Sequence, residues 1–374
     1  IKLKKLVTGS MGDKQKKFHF TISIEKENKN VHIAKEAPCL KKPKVYVHRL
    51  EDWYSLYMDA NNEKLLRSFC DVVIESDRME PMSEEELVDR MKDCEAILSL
   101  NGIGTDEITL DVLRRVGTIR LIVISHWWNQ FERLDLKSLG IRVVEGSNAN
   151  TVAVAEWVLT AALMGIRRLT DFDAKMKEGS LWCEPRRCVG MLYGKRVGLV
   201  GLGRIGRYSA RLFQMMGAKV QAYDKYFSPD EARLLGIELV TLDEALQNSD
   251  IISLHLPVTE ETRGMLKKEH FEKIPDGAVF INSARAALYE EKALIEELKK
   301  KRFFAYLDVF SQEPLPVDHP LRSLENVLIT PHIAGDNPDM FRLCGKQAID
   351  TLRDYFSGKE VVDKKYYLGI GEKN

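Results

Sequence analysis

From Lys44 onward, short runs of β-branched and apolar residues alternate with longer stretches in which apolar side chains return every three or four positions. Lys44–His48 (KVYVH), Ala96–Leu100 (AILSL), Leu121–Ser125 (LIVIS) and Arg142–Val144 read as strands. Ser83–Cys94 has helical spacing, with Ser83 as the N-cap and acidic residues in the first turn. Strands that alternate with helices predict βαβ units and a parallel sheet.

A long helical pattern from about Val152 to Lys177 interrupts the series. It carries small and apolar residues on more than one face, which predicts burial at a domain or subunit contact. A second series follows, with strands at Arg196–Val200, Lys219–Tyr223, Ile251–His255, Ala278–Asn282, Phe304–Val309 and Val327–Thr330. A last helix, about Pro338–Phe356, closes the chain. The two series predict an α/β fold of two doubly wound parallel-sheet domains, with the interruption near Ser147–Asn150. The final helix comes after the second series has ended, so it can return to the first domain and make that domain discontinuous. The expected division is a lysine-rich extension over 1–43, a first domain over 44–147 and again over 336–374, and a second domain over 148–335.

Composition narrows the function. The 374 residues are 44% hydrophobic and 30% charged, ordinary for a globular protein. The 56 basic and 56 acidic side chains cancel, so no global field draws the chain to nucleic acid or to an anionic membrane. No apolar run is read as approaching the ~20 residues of a membrane span. The six cysteines (Cys39, Cys70, Cys94, Cys183, Cys188 and Cys344) show no metal-ligand spacing, and free thiols in a cytoplasmic protein are expected. Residues 1–44 hold 12 Lys against 4 acidic residues, read as a solvated face. No apolar stretch typical of a secretory signal follows them. Phe18, Phe20, Ile22 and Ile24 alternate with polar residues, and Glu27–Asn30 can turn into Val31–Ile33, a possible hairpin.

The strongest local signal is VGLVGLGRIGR, Val197–Arg207, which holds Gly201-x-Gly203-x-x-Gly206 between an apolar strand and a helical pattern. The first glycine allows the tight turn, the second lets backbone approach a pyrophosphate, and the third lets helix and strand pack closely. Backbone N–H groups of about Arg204 and Ile205 would bind the phosphates. Asp224 ends the next strand, where a carboxylate accepts hydrogen bonds from the adenosine ribose and repels a 2′-phosphate. That favours NAD over NADP, although Lys225 stands beside it. A tight turn without ligand and a methyl-donor cofactor site are the alternatives.

Three further strands each lead into a candidate functional residue. Ala278–Asn282 runs into Ser283-Ala284-Arg285, Phe304–Val309 into Phe310-Ser311-Gln312-Glu313, and Val327–Thr330 into Pro331-His332. An Arg, a Glu and a His suit reduction of a 2-oxo acid. Arg285 can hold a carboxylate as a planar fork. His332 can donate a proton to the carbonyl oxygen, and Glu313 can accept from its other ring nitrogen. Each residue alone has an ordinary structural alternative; the set behind one dinucleotide turn is more specific.

On these stretches, with SDIISLHLPVTEETRGML, VFINSARAALYEEKALIEELKK, YLDVFSQEPLP and LITPHIAG, the sequence resembles the D-isomer-specific 2-hydroxyacid dehydrogenase family. The resemblance is close over about Asn148–Gly335. It implies a Rossmann NAD-binding domain inserted into a flavodoxin-like substrate domain, and catalytic roles for Arg285, Glu313 and His332. It also implies that Asp308 contacts the nicotinamide carboxamide, that Leu256 contacts cofactor, and that a homodimer forms through the NAD-binding domain. With Ser283 and Ala284, these complete the expected cofactor set of Gly201, Gly203, Arg204, Ile205, Gly206, Asp224, Leu256, Arg285, Asp308 and His332. The implied partner is a small 2-oxo or 2-hydroxy acid. The alternative is an NAD(H)-binding corepressor-like or sensor protein of the same fold.

Two departures matter. Where the family has a glycine-rich loop for the substrate carboxylate, this chain reads His126-Trp127-Trp128-Asn129-Gln130, so either that loop follows another path or tryptophan fills part of the substrate space, the alternative being that Trp127 and Trp128 pack in the core or at a domain contact. The loop Asn101–Thr105, which by the resemblance also lies where the family meets substrate, contains no Arg or Lys, which argues against a phosphorylated substrate such as 3-phosphoglycerate.

Overall fold

The computed structural model describes residues 42–48, 53–74, 80–125, 131, 134–180 and 190–361. Strands β1 (Lys44–His48), β2 (Asp71–Ile74), β3 (Ala96–Ser99), β4 (Leu121–Ile124) and β5 (Arg142–Glu145) form a five-stranded sheet. Their order is β2-β1-β3-β4-β5, with every neighbouring pair parallel. This is the flavodoxin-like order. β3 and β4 are buried along their whole length, because helices cover both faces of a parallel sheet. The helix Glu84–Arg90 begins in a capping box, in which Ser83 N–H donates to the Glu86 carboxylate at 3.0 Å and Glu86 N–H donates back to Ser83 Oγ at 3.4 Å.

The second sheet has seven strands: β6 (Arg196–Val200), β7 (Lys219–Tyr223), β8 (Glu238–Leu239), β9 (Ile251–Leu254), β10 (Val279–Asn282), β11 (Phe304–Leu307) and β12 (Val327–Ile329). It runs β12-β11-β10-β9-β6-β7-β8, again all parallel. The chain winds outward from β6 through β7 to β8, then returns to β9 on the other side of β6. That reversal leaves a crevice at the carboxyl ends of β6 and β9, where ligands of such sheets bind. The fold is therefore the pair of doubly wound parallel sheets that the alternating pattern predicts.

Several boundaries differ from that reading. The ladders end one or two residues before Leu100, Ser125, His255, Val309 and Thr330, because the chain there turns into the edge loops. β2 and the two-residue β8 are short edge strands that the pattern did not resolve. The helical stretch expected over Val152–Lys177 is two helices, Ala149–Arg167 and Leu169–Lys177. Arg168 breaks it at φ 53°; its guanidinium pairs with Asp171 and lies 3.7 Å from the centre of the Phe304 ring.

The helix Ala149–Arg167 also corrects the reading that no apolar stretch nears membrane length. It has 19 residues and a mean hydropathy of 1.4 over its most apolar window, enough to cross a membrane by length and composition. Half of that window is buried within the protein. Val154, Val158, Ala161 and Ala162 share a core with Val197, Leu199 and Phe213. A Cβ on Gly165 would sit 2.7 Å from Val279, so the helix lies directly on β10.

The closing helix Pro338–Phe356 is capped by Asn337, which accepts from Met340 N–H at 2.8 Å. Phe341, Ala348, Ile349 and Leu352 pack in one core with Val45, Val47, Leu98 and Val123 of the first sheet. Cys70, Cys94 and Cys344 are free and buried, and burial pushes their thiols up to about 12, about 11 and about 11. The hairpin expected near Phe18–Ile33, the pair Trp127-Trp128, and Cys39, Cys183 and Cys188 lie outside the described residues.

Candidate active site

The turn after β6 is shaped by its three glycines, each for a different reason. Gly201 has φ 108°, and a Cβ there would lie 2.9 Å from the His255 backbone and 3.0 Å from Leu256. Gly206 packs under it, since a Cβ on Gly206 would meet the Gly201 carbonyl at 2.1 Å. Gly203 faces open space, with nothing within 4 Å of its Cβ position. It is the N-cap of the helix Arg204–Met215 and offers no side chain to the first N–H groups. Those donors, with the positive end of the helix dipole, suit a phosphate anion.

Asp224 follows β7. Its Oδ2 accepts from Leu202 N–H at 2.7 Å, and its Oδ1 accepts from the N–H groups of Tyr226 and Phe227 at 2.9 and 3.0 Å. The carboxylate is thus fixed to the glycine turn, with lone pairs left to accept from a ligand. Arg204 directs its guanidinium to Glu145 at the end of β5, tying the helix start to the first sheet.

A cleft of about 1210 Å³ opens along these edges. From the expected set it is lined by Arg204, Ile205, Leu256, Ser283, Ala284, Arg285, Asp308, Glu313 and His332. Gly201, Gly203, Gly206 and Asp224 stand outside that lining. Ser283 Oγ is buried there without a hydrogen-bond partner among the described residues. Below Arg285, the fully buried Asn282 accepts from Ala284 N–H at 2.9 Å and donates to the Arg285 carbonyl at 3.0 Å. The Arg285 backbone is therefore pinned while its guanidinium stays exposed, donating to the Ala284 carbonyl at 2.6 Å.

Glu313 and His332 meet in this cleft, with Nδ1 of His332 2.7 Å from Glu313 Oε2. An ionised carboxylate only accepts, so Nδ1 carries the proton and Nε2 is left for a substrate. Glu313 Oε1 accepts from Phe310 N–H at 2.9 Å. Partial burial pushes the Glu313 carboxyl up, but the hydrogen bonds from His332 and Phe310 and the charges of His332 and Arg285 outweigh it. The net result lies below the ordinary range.

His332 has φ 56°, the left-handed region that a residue with a Cβ rarely enters. Asp308 holds it there. Asp308 is fully buried and accepts from Thr330 Oγ1 at 2.5 Å, Ile333 N–H at 2.9 Å and Ala334 N–H at 2.8 Å. Sequence reasoning placed Asp308 at the cofactor and missed this bracing of the loop that carries His332.

It also missed two further cleft residues. His255 turns into the cleft, and its Nε2 is buried without a partner among the described residues; burial pushes the imidazole down to about 3, so it is neutral near pH 7. Its place at the carboxyl end of β9 was the available signal. Asp336 lies four residues past His332 and lines the same cleft, and burial raises its carboxyl despite the nearby His332. Such a site can seat a dinucleotide over the glycine turn, hold an anion at Arg285 and exchange a proton at His332.

The family model for the D-isomer specific 2-hydroxyacid dehydrogenase NAD binding domain matches residues 159–334. A glyoxylate reductase from Thermofilum pendens is 35% identical over 304 residues, covering 79% of this chain and 86% of that protein. A D-3-phosphoglycerate dehydrogenase from Archaeoglobus fulgidus is 35% identical over 258 residues, covering 68% of this chain but 48% of that protein. The crystal structure of D-lactate dehydrogenase with NAD+ from Lactobacillus jensenii superposes with a TM-score of 0.66 at 26% identity, covering 85% and 98% of the two chains. The chain belongs to the D-isomer-specific 2-hydroxyacid dehydrogenase family, as an NAD-dependent enzyme.

The bracing of His332 has a measurable consequence. Asp308→Ala removes the acceptor of two backbone N–H groups and one hydroxyl, at about 1–3 kcal/mol for each buried donor left unpaired. Chemical denaturation without NADH is expected to show a fall of at least about 2 kcal/mol. A change under about 0.5 kcal/mol would mean that the loop does not depend on this carboxylate.

Proposed function

We propose that this enzyme reversibly reduces a small 2-oxo acid to the D-2-hydroxy acid, with Arg285, Glu313 and His332 as its catalytic residues. The observation that carries the reading is the 2.7 Å Glu313–His332 pair, which opens on the same cleft as Arg285. NADH, when bound, supplies the hydride for the carbonyl carbon. Arg285 binds the substrate carboxylate as a bidentate fork and polarises the adjacent carbonyl. His332 holds a proton at Nε2 for the carbonyl oxygen, and Glu313 keeps the ring oriented through Nδ1. In the reverse direction the neutral ring takes that proton back.

The substrate end of the cleft favours a small acid with one negative charge. The loop Asn101–Thr105, which the family resemblance puts near the substrate, has no cation for a phosphate. Asp336 adds a carboxylate beside His332, and a phosphate or second carboxylate placed there would be repelled. Glyoxylate, the compound in the name of the Thermofilum relative, fits these limits. A phosphorylated acid of the kind named for the Archaeoglobus relative does not.

The same reading assigns 44–147 and 336–374 to a substrate domain and 148–335 to an NAD-binding domain. The free, buried thiols suit a reducing compartment such as the cytoplasm. The partly apolar outer side of Ala149–Arg167, with Leu169 and Met176 exposed beyond it, suits a homodimer contact through the NAD-binding domain. Light scattering on the purified protein should then return about twice the 42.8 kDa chain mass, and a monomer would refute the contact.

The test of function is a screen of NADH oxidation against glyoxylate, pyruvate, hydroxypyruvate and a phosphorylated 2-oxo acid, run on the wild type and on His332→Ala. The expected outcome is turnover of an unphosphorylated acid, reduced at least about 100-fold in the variant while NADH still binds. Near-wild-type turnover in His332→Ala would remove the residue from the mechanism. NADH binding without reduction of any acid would favour a sensor.

A further inference from the structure

We propose that Glu261 is a cofactor-selectivity residue, which excludes NADP by holding Lys225 away from the 2′-position of the adenosine ribose. The inference rests on the NAD assignment and extends it to a residue outside the dinucleotide motif. β7 and β9 flank β6 on opposite sides. The loops that follow them, starting at Asp224 and His255, therefore border the glycine turn from both sides. They meet at Glu261. Its Oε1 accepts from the Lys225 ammonium, and its Oε2 accepts from Tyr226 Oη at 2.8 Å. The ammonium also stands 5.4 Å from the centre of the Tyr226 ring.

Lys225 directly follows Asp224, the carboxylate placed for the ribose hydroxyls. A free ammonium at this position would attract a 2′-phosphate and offset the repulsion from Asp224. Glu261 removes that attraction twice over. It engages the ammonium, and it brings a second negative charge to the same rim. Its hydrogen bonds to Lys225 and Tyr226 keep its carboxyl below the ordinary range, and the bond to Glu261 raises the Lys225 ammonium, so both stay charged near pH 7. Arg207, another cation beside this loop, donates to the Gly203 carbonyl at 3.4 Å and lies 5.8 Å from the Phe227 ring centre. An ion pair this exposed contributes little to stability. Its consequence is for which anion the rim accepts.

The test is a set of dissociation constants for NADPH and NADH, measured by calorimetry on the wild type, Glu261→Gln, and Glu261→Gln combined with Lys225→Ala. Glu261→Gln should raise the NADPH-to-NADH affinity ratio about tenfold, and adding Lys225→Ala should return it to near the wild-type value. A rise under about threefold in Glu261→Gln, or a gain that survives loss of Lys225, would overturn the proposal. Binding is read without turnover, so this result stands apart from whether a 2-oxo acid is reduced.

Discussion

His332 sits in a backbone conformation that a residue with a Cβ occupies only when its surroundings enforce it, at a cost of about 1–3 kcal/mol. The buried Asp308 carboxylate is the enforcing group. It collects the N–H groups of Ile333 and Ala334 and the Thr330 hydroxyl, and so turns the chain at the end of β12. That turn brings the imidazole against Glu313, which extends from the loop after β11. Without the bend, strands β11 and β12 would still pair, but the Glu313–His332 contact would not form.

The parallel sheet explains why the site lies where it does. Every strand in it ends at the same edge, and the winding reverses between β6 and β9. One edge therefore supplies the glycine turn, Asp224, His255, Arg285, Asp308, Glu313 and His332 from successive connections. Backbone fixation by a side chain recurs at three of these connections. Asn282 pins Ala284 and Arg285, Asp224 pins Leu202 and the start of its own loop, and Asp308 pins the His332 loop. A side chain whose backbone is held in this way needs little reordering when it meets a ligand.

Much of this was legible in the sequence, for a physical reason. Strand and helix periods are local, so ten of the twelve strands could be read as apolar runs, the short edge strands β2 and β8 being the exceptions. The glycine turn was legible because each glycine answers a steric need of that turn, and Arg285, Glu313 and His332 because each follows a strand. Contacts made across the sheet were not legible. Asp308 meets its partners 22 to 26 residues away, and Lys225 meets Glu261 36 residues away, with no periodicity to mark either. The break at Arg168 was missed for the same reason, since the Phe304 ring beneath it belongs to a distant strand.

The most direct measurement is a crystal structure of the enzyme with NADH and oxamate, an unreactive mimic of a 2-oxo acid. The arrangement described here requires the oxamate carboxylate on the Arg285 guanidinium and its amide oxygen at His332 Nε2, with the pyrophosphate at the start of the helix Arg204–Met215. Oxamate bound away from both Arg285 and His332, or His332 turned out of the cleft with Glu313 left behind, would contradict it.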